Sequence, residues 1–152
     1  MLGEHSWFGS KWIYEESIRI PLIISSNFTQ SSNKIIPQLT QNIDIAPTIL
    51  EYANLENLEN SQGESLHCLL GDDDNNNTWR DSIYYHHHKF PGEHMIAKHY
   101  GIRTKYFKLV HFYQFGEWEF YDLLKDPQEN ENIYNTQISS SKVTEIKKLL
   151  NL

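Results

Sequence analysis

The sequence predicts an α+β fold, on three observations. Residues 82–122 break into short aromatic-rich runs separated by turn signals, which is a strand pattern. Helical spacing of apolar residues lies on either side, at Ile45, Ile49 and Tyr52 and at Val143, Ile146, Leu149 and Leu150. Strands are therefore grouped instead of alternating with helices, which favours a small antiparallel sheet closed by a C-terminal helix over a wound parallel sheet. At 152 residues the chain is long enough for one ordinary core.

The elements follow in order. Arg19 to Ser25, with Ile20, Leu22, Ile23 and Ile24, reads as a short buried strand that Pro21 confines to an edge or a strand start. Ser25 to Lys34 is polar and loop-like. Asn42 to Ala53 reads as a helix. Asp44 can accept from free amides near its start, Pro47 fits the first turn, and Ile45, Ile49 and Tyr52 form the apolar face. Asn54 to Gly63 is a polar loop. Gly71 to Thr78, GDDDNNNT, opens like a calcium loop, but Asn77 stands where such a loop needs Gly and Ile83 where it needs a bidentate Glu. It reads as a solvated loop. The strands are SIYYHHH, HYGIRT, FKLVHFY and WEFYDL, with Gln114-Phe115-Gly116-Glu117 as a hairpin between the last two. Lys125-Asp126-Pro127-Gln128 is a stopping turn, and Ser139 to Ser141 can cap the last helix.

Composition removes several function classes. The formal charge is −7 and no basic stripe offsets it, which argues against nonspecific nucleic-acid binding. No apolar run reaches membrane length. Glu4 and His5 stand where a signal peptide needs a basic end and an apolar stretch. Cys68 is the only cysteine, so the chain has no internal disulfide and no Cys-based zinc site; among Leu66, Leu69 and Leu70 it reads as a small core residue. The sequons at Asn27 and Asn76 read as incidental in an Asn-rich chain.

The eight histidines are the chemically interesting residues. On a strand, His86 and His88 point to one face and His87 to the other. Such a pair can chelate a metal if His94, His99 or Glu93 supplies a third ligand, although packing within an aromatic strand is the stronger reading. His5, with Glu4 and Lys11 nearby, could shuttle a proton beside a fixed positive charge; the alternative is a solvated turn. Arg103, Lys105 and Lys108 could bind an anion or simply form an exposed sheet face. No Ser-His-Asp order, phosphate loop or dinucleotide fingerprint is present. The residues alone lead to an acidic α+β domain whose histidines suit an anion or a metal.

Three longer segments resemble a known family. GEHSWFGSKWIYEESIRIPLII, at Gly3 to Ile24, resembles the stretch that follows the second metal-ligand pair of type I, formylglycine-dependent sulfatases. NIDIAPTIL resembles the helix that comes next. WRDSIYYHHHKFPGEHMIAKHYGIRTKYFKLVHFY and EWEFYDLLKDPQENENIY resemble the C-terminal subdomain of sulfatases acting on carbohydrate sulfates. The resemblance implies the tail of a sulfatase α/β domain at 1–70, a polar loop at 71–78 and a C-terminal antiparallel-sheet subdomain at 79–152. It implies sulfate-ester hydrolysis in a complete enzyme, with a sulfated carbohydrate as substrate and calcium as cofactor. The formylglycine motif C/S-x-P/A-x-R is absent from this sequence, and the family's metal-ligand pair would precede Leu2. This chain alone is therefore expected to bind no calcium and to turn over no sulfate ester, and the preceding portion of a sulfatase is an expected partner.

Residue by residue, His5 matches the histidine of the family's GEHG-like turn, with Ser6 in place of Gly. The family's sulfate-binding Lys aligns with Ser10, and Lys11 follows directly, where relatives often carry Arg. His94 and His99 are the expected sugar contacts, followed by His86 and His88. A family of this kind is usually periplasmic, extracellular or lysosomal. A stand-alone carbohydrate- or partner-binding module and a His-rich metal protein are the alternatives. Without the large α/β domain, Ile20 to Ile24 and one sheet face are expected to stay uncovered.

Overall fold

The computed structural model describes residues 3–6, 9, 11–25, 33–71, 79–91, 95–136 and 140–150. Contacts group the chain into two units, one formed by Met1–Pro21 with Ser82–Leu152 and the other by Leu22–Asp81. The α+β expectation is met.

The first unit is built on four strands, β1 (Ser82–His87), β2 (His99–Thr104), β3 (Phe107–Phe112) and β4 (Glu117–Asp122). They form one antiparallel sheet in sequence order. Each predicted run is a strand, because β-branched and aromatic side chains suit a pleated, half-buried surface. Gly116 takes a φ of 73° in the β3–β4 turn, a left-handed conformation that glycine adopts without a Cβ clash.

Period-two alternation sends Tyr85, His87, His99, Lys108, Val110, Phe112, Glu119 and Tyr121 to one face. Trp12, Ile13 and Tyr14 cover that face and pack with Ile96, Ala97, Val110, Phe112 and Tyr121. Gly101 permits this cover, since a Cβ there would stand 2.5 Å from Ile13 Cδ1 and 2.6 Å from the Leu109 carbonyl oxygen. The short helix α1 (Glu15–Ile18) continues the covering segment. The other face holds Tyr84, His86, Tyr100, Ile102, Leu109, His111, Trp118 and Phe120. Val143 and Ile146 cluster with Ile102, Leu109 and Phe120. They lie on the C-terminal helix, α4 (Ser140–Leu149). Both faces therefore carry cover, against the expectation of one bare face. Leu149 departs from its expected place and is 54% exposed. The capping role expected at Ser139 lies outside the described residues.

In the second unit, a 3-10 turn at Asn42–Asp44 leads into α2 (Ile45–Tyr52), and α3 (His67–Leu70) follows. Its organising residue is Asp44, which is fully buried. Asp44 accepts hydrogen bonds from Arg80 (2.7 and 2.8 Å) and from the amides of Gln41 (2.7 Å) and Glu64 (3.0 Å). Thr48 donates to the Asp44 carbonyl and accepts from the Leu66 amide.

Three expectations need correction here. Arg19 to Ser25 forms no strand, and Ile20 and Ile23 are 58% and 90% exposed. A strand needs a ladder partner, and none of the four strands pairs with this segment; the exposure expected of Ile20 to Ile24 is what is found. On α2 the buried side chains are Pro47 and Thr48, while Ile45 and Ile49 are exposed, because the Asp44–Arg80 hub draws the opposite helix face inward. Cys68 is exposed; the one-turn helix α3 turns Leu66 and Leu69, three apart, to the interior and leaves Cys68 outside. The loop expected at 71–78 falls on residues 72–78, outside the described set.

The described helices include none long and apolar enough to cross a membrane.

Candidate functional site

His5 lies in a 3-10 turn at Glu4–Ser6 and has a left-handed backbone, φ 54° and ψ 21°, followed by Ser6 at φ 61°. Non-glycine residues adopt this region at a cost, so it persists where surrounding contacts determine it. Those contacts are specific. The imidazole lies flat on the Tyr14 ring, with centroids 4.1 Å apart and planes 7° from parallel. Its Nε2 is 3.5 Å from Glu16 Oε2. Tyr14 is held in turn by the sheet. Its hydroxyl donates to Glu119 Oε2 at 2.9 Å, and Tyr121 donates to the same oxygen at 2.9 Å. Burial raises the Glu119 carboxyl above the usual range, and burial followed by the Glu119 charge drives both phenols strongly upward.

The next turn of chain is fixed by buried charge. Lys108 Nζ is fully enclosed and contacts Glu129 Oε1 at 2.7 Å, Glu15 Oε1 at 2.9 Å and the Ile13 carbonyl at 2.8 Å. Glu129 Oε2 accepts the Glu15 amide at 2.7 Å, and Arg103 donates to both Glu15 oxygens at 3.3 Å. Burial acts against ionised Glu15, but Lys108 and Arg103 outweigh it and hold this carboxyl below its ordinary value. On Glu129 burial prevails and raises the carboxyl despite Lys108. Arg103 and Lys108 are thus committed inside the protein, which corrects the expectation of an anion-binding or exposed face. Lys105 stands apart from them in the β2–β3 turn, over the Tyr106 ring. Lys11 is exposed, and its backbone carbonyl accepts a hydrogen bond from the Tyr85 hydroxyl at 2.8 Å. Ser10 and His94 lie outside the described residues.

The remaining histidines divide between the two sheet faces. His86 and His88 share one face as expected, their ring centroids 3.6 Å apart. His86 shares hydrogen bonds with Tyr84 (2.9 Å) and Tyr113 (3.3 Å), and burial with the neighbouring His88 and His87 lowers its pKa. His99 pairs with His87 across β1 and β2 and therefore faces the other way, so it cannot complete a metal site with His86 and His88. Among the described residues no three His, Cys, Asp or Glu side chains converge to hold a metal. Among the described residues calcium has no fitting donor set.

His99 is enclosed completely by Trp12, Tyr85, His87 and Phe112, a buried position in this chain that differs from the sugar contact expected of it. Its Nδ1–H donates to the Ala97 carbonyl at 2.7 Å, which leaves Nε2 as a bare acceptor with no partner. Burial lowers its pKa to about 4, and so the ring is neutral near pH 7.

Sequence reasoning missed Tyr14, Glu15, Glu119 and Glu129, and it missed the burial of Lys108. A signal for one of them was present, because Lys108 has the same strand parity as Val110 and Phe112. A lysine at a core parity position calls for buried carboxylates.

Comparisons with known proteins agree with this layout. A family model described as N-sulphoglucosamine sulphohydrolase, C-terminal, matches residues 3–152. An N-acetylglucosamine-6-O-sulfatase of Bacteroides thetaiotaomicron is 40% identical over 98% of this chain and 27% of its own length. An arylsulfatase of Clostridium perfringens is 33% identical over 99% of this chain and 30% of its own. A solved structure described as a complex with its substrate D-glucosamine-2-N,6-O-disulfate superposes with a TM-score of 0.90 at 39% identity, covering 99% of this chain and 31% of that one. The chain thus spans under a third of the length of the relatives it matches. Over that span its sequence and its fold place it in the family of N-sulphoglucosamine sulphohydrolase C-terminal domains, a sulfatase family.

Proposed function

We propose that this chain is the C-terminal part of an enzyme hydrolysing sulfate esters of glucosamine-type carbohydrates. The reading rests on the match of the family model across residues 3–152, together with relatives described as acting on, or binding, sulfated glucosamines. His5 acts at the ester, as a donor to the sulfate oxygens or in proton transfer to the leaving alcohol. Lys11 supplies positive charge beside it in the role the resemblance gives to a neighbouring Lys. His86, His88 and His94 contact the sugar, and His99 supports that region from within the core. The nucleophile and the calcium ligands belong to a preceding catalytic portion, and the exposed apolar side chains of the second unit, Leu22, Ile23, Ile35 and Ile49, are suited to packing against it.

The test is a chimera in which this chain replaces the C-terminal part of the Bacteroides thetaiotaomicron N-acetylglucosamine-6-O-sulfatase. Release of sulfate from N-acetylglucosamine 6-sulfate is expected, with a loss of about a hundredfold to ten-thousandfold on His5→Ala. A folded chimera whose turnover is indifferent to His5→Ala would refute the role. The isolated chain is expected to show no turnover. A binding-only reading is favoured by the half-exposed aromatic face of Tyr84, His86 and Tyr100; saturable binding of the sulfated sugar by the isolated chain would support it.

A further inference from the structure

We propose that Tyr14, Glu119 and Tyr121 are positioning residues for His5. This deepens the reading above and rests on it for the role of His5, but the geometry stands independently. The imidazole is seated on the Tyr14 ring at 4.1 Å, nearly parallel, while its backbone occupies a region that a non-glycine residue does not choose unaided. A flat stack fixes the ring plane, and the 3.5 Å approach of Glu16 to Nε2 fixes its rotation within that plane.

The platform itself is immobilised. Tyr14 is 4% exposed, its edge meets Tyr121 with ring centroids 6.2 Å apart, and its hydroxyl is bound to Glu119. Two phenol donors on one carboxylate oxygen define the position of that oxygen more sharply than one would. Tyr121 and Glu119 lie two apart on β4, on the same sheet face. The strand therefore specifies the height and angle of the Tyr14 ring, and through it the direction of the imidazole. The last strand of the C-terminal sheet thus sets the aim of a side chain more than a hundred residues earlier in the chain.

The experiment is solution NMR on the isotopically labelled full chain, reading the His5 ring protons. These signals should be displaced upfield by the Tyr14 ring current. Tyr14→Leu removes the platform and should abolish the displacement, while the amide signals of β2 and β3 stay in place. Tyr14→Phe keeps the ring but removes its tether to Glu119. It should retain part of the displacement and broaden or move the signals, and Tyr121→Phe should have the smallest effect. His5 ring signals that are unmoved in Tyr14→Leu with the sheet intact would overturn the proposal. If Tyr14→Leu does not fold, Tyr14→Phe decides, and unchanged His5 signals there would overturn it equally. No sulfate turnover enters this readout, so loss of the sulfatase reading and loss of the positioning role are separable.

Discussion

The two faces of one sheet are stabilised in different ways. The face under α4 is sealed by Ile102, Leu109, Phe120, Val143 and Ile146, and its stability comes from apolar area. The face under residues 12–18 mixes apolar rings with Lys108, Glu129, Glu119 and the neutral His99. Burying charge is expensive, and a hydrophobic replacement of similar shape is often no less stable. What the polar set adds is direction. Ion pairs and hydrogen bonds have angles and apolar contacts do not, and this is the face against which the His5 turn is built.

The largest expected effects set the two faces directly against each other. Phe120→Ala should destabilise the chain by about 3–5 kcal/mol through the cavity it leaves. Lys108→Ala should cost about as much, about 3–5 kcal/mol, by stranding Glu15 and Glu129 without their cation. Urea denaturation at neutral and acidic pH separates the causes. The Lys108→Ala deficit should shrink when the stranded carboxylates protonate, and the Phe120→Ala deficit should not. Equal pH dependence in the two variants would erase the distinction between the faces.

The next effect belongs to His99. Its folded-state pKa of about 4 lies below the ordinary value of 6.5, so the unfolded chain binds more protons between those limits. Its contribution is therefore complete above about pH 6.5 and is lost as pH falls toward 4, with a total on the order of 3 kcal/mol. His99→Phe should flatten the stability profile in that window, as measured by urea midpoints at pH 4.5 and 7. A slope unchanged by this substitution would remove His99 from the account.

The smallest effect lies at the rim of the α4 face. Lys147 sits 4.0 Å from the Trp118 ring centroid, and its Nζ donates to the Tyr134 hydroxyl at 2.8 Å. Lys147→Ala should cost about 0.5–1 kcal/mol, visible as a small shift in the urea midpoint. A loss as large as that of Phe120→Ala would mean that this face, too, depends on charge.

Much of this was legible in the sequence. Alternating aromatics placed all four strands, because side-chain period two is a property of the strand itself. The same alternation placed His86 and His88 together and His87 opposite. The GEHS turn and its neighbours carried the family resemblance without any structure. What the sequence could not settle was which positions find cover. Ile45 and Ile49 looked like an inward apolar face and are exposed, whereas Lys108 read as an anion-binding or exposed cation and is enclosed together with Glu129. Periodicity reports that one side differs from the other, but burial depends on what arrives from distant parts of the chain. Ile13 and Glu15 meet Lys108 across more than ninety residues, and Tyr14 meets Glu119 across a hundred and five. Local preference fixed the strands and turns, while the aim of His5 and the charge of its surroundings were decided by long-range packing, where a buried lysine is tolerated only once its carboxylates have come together.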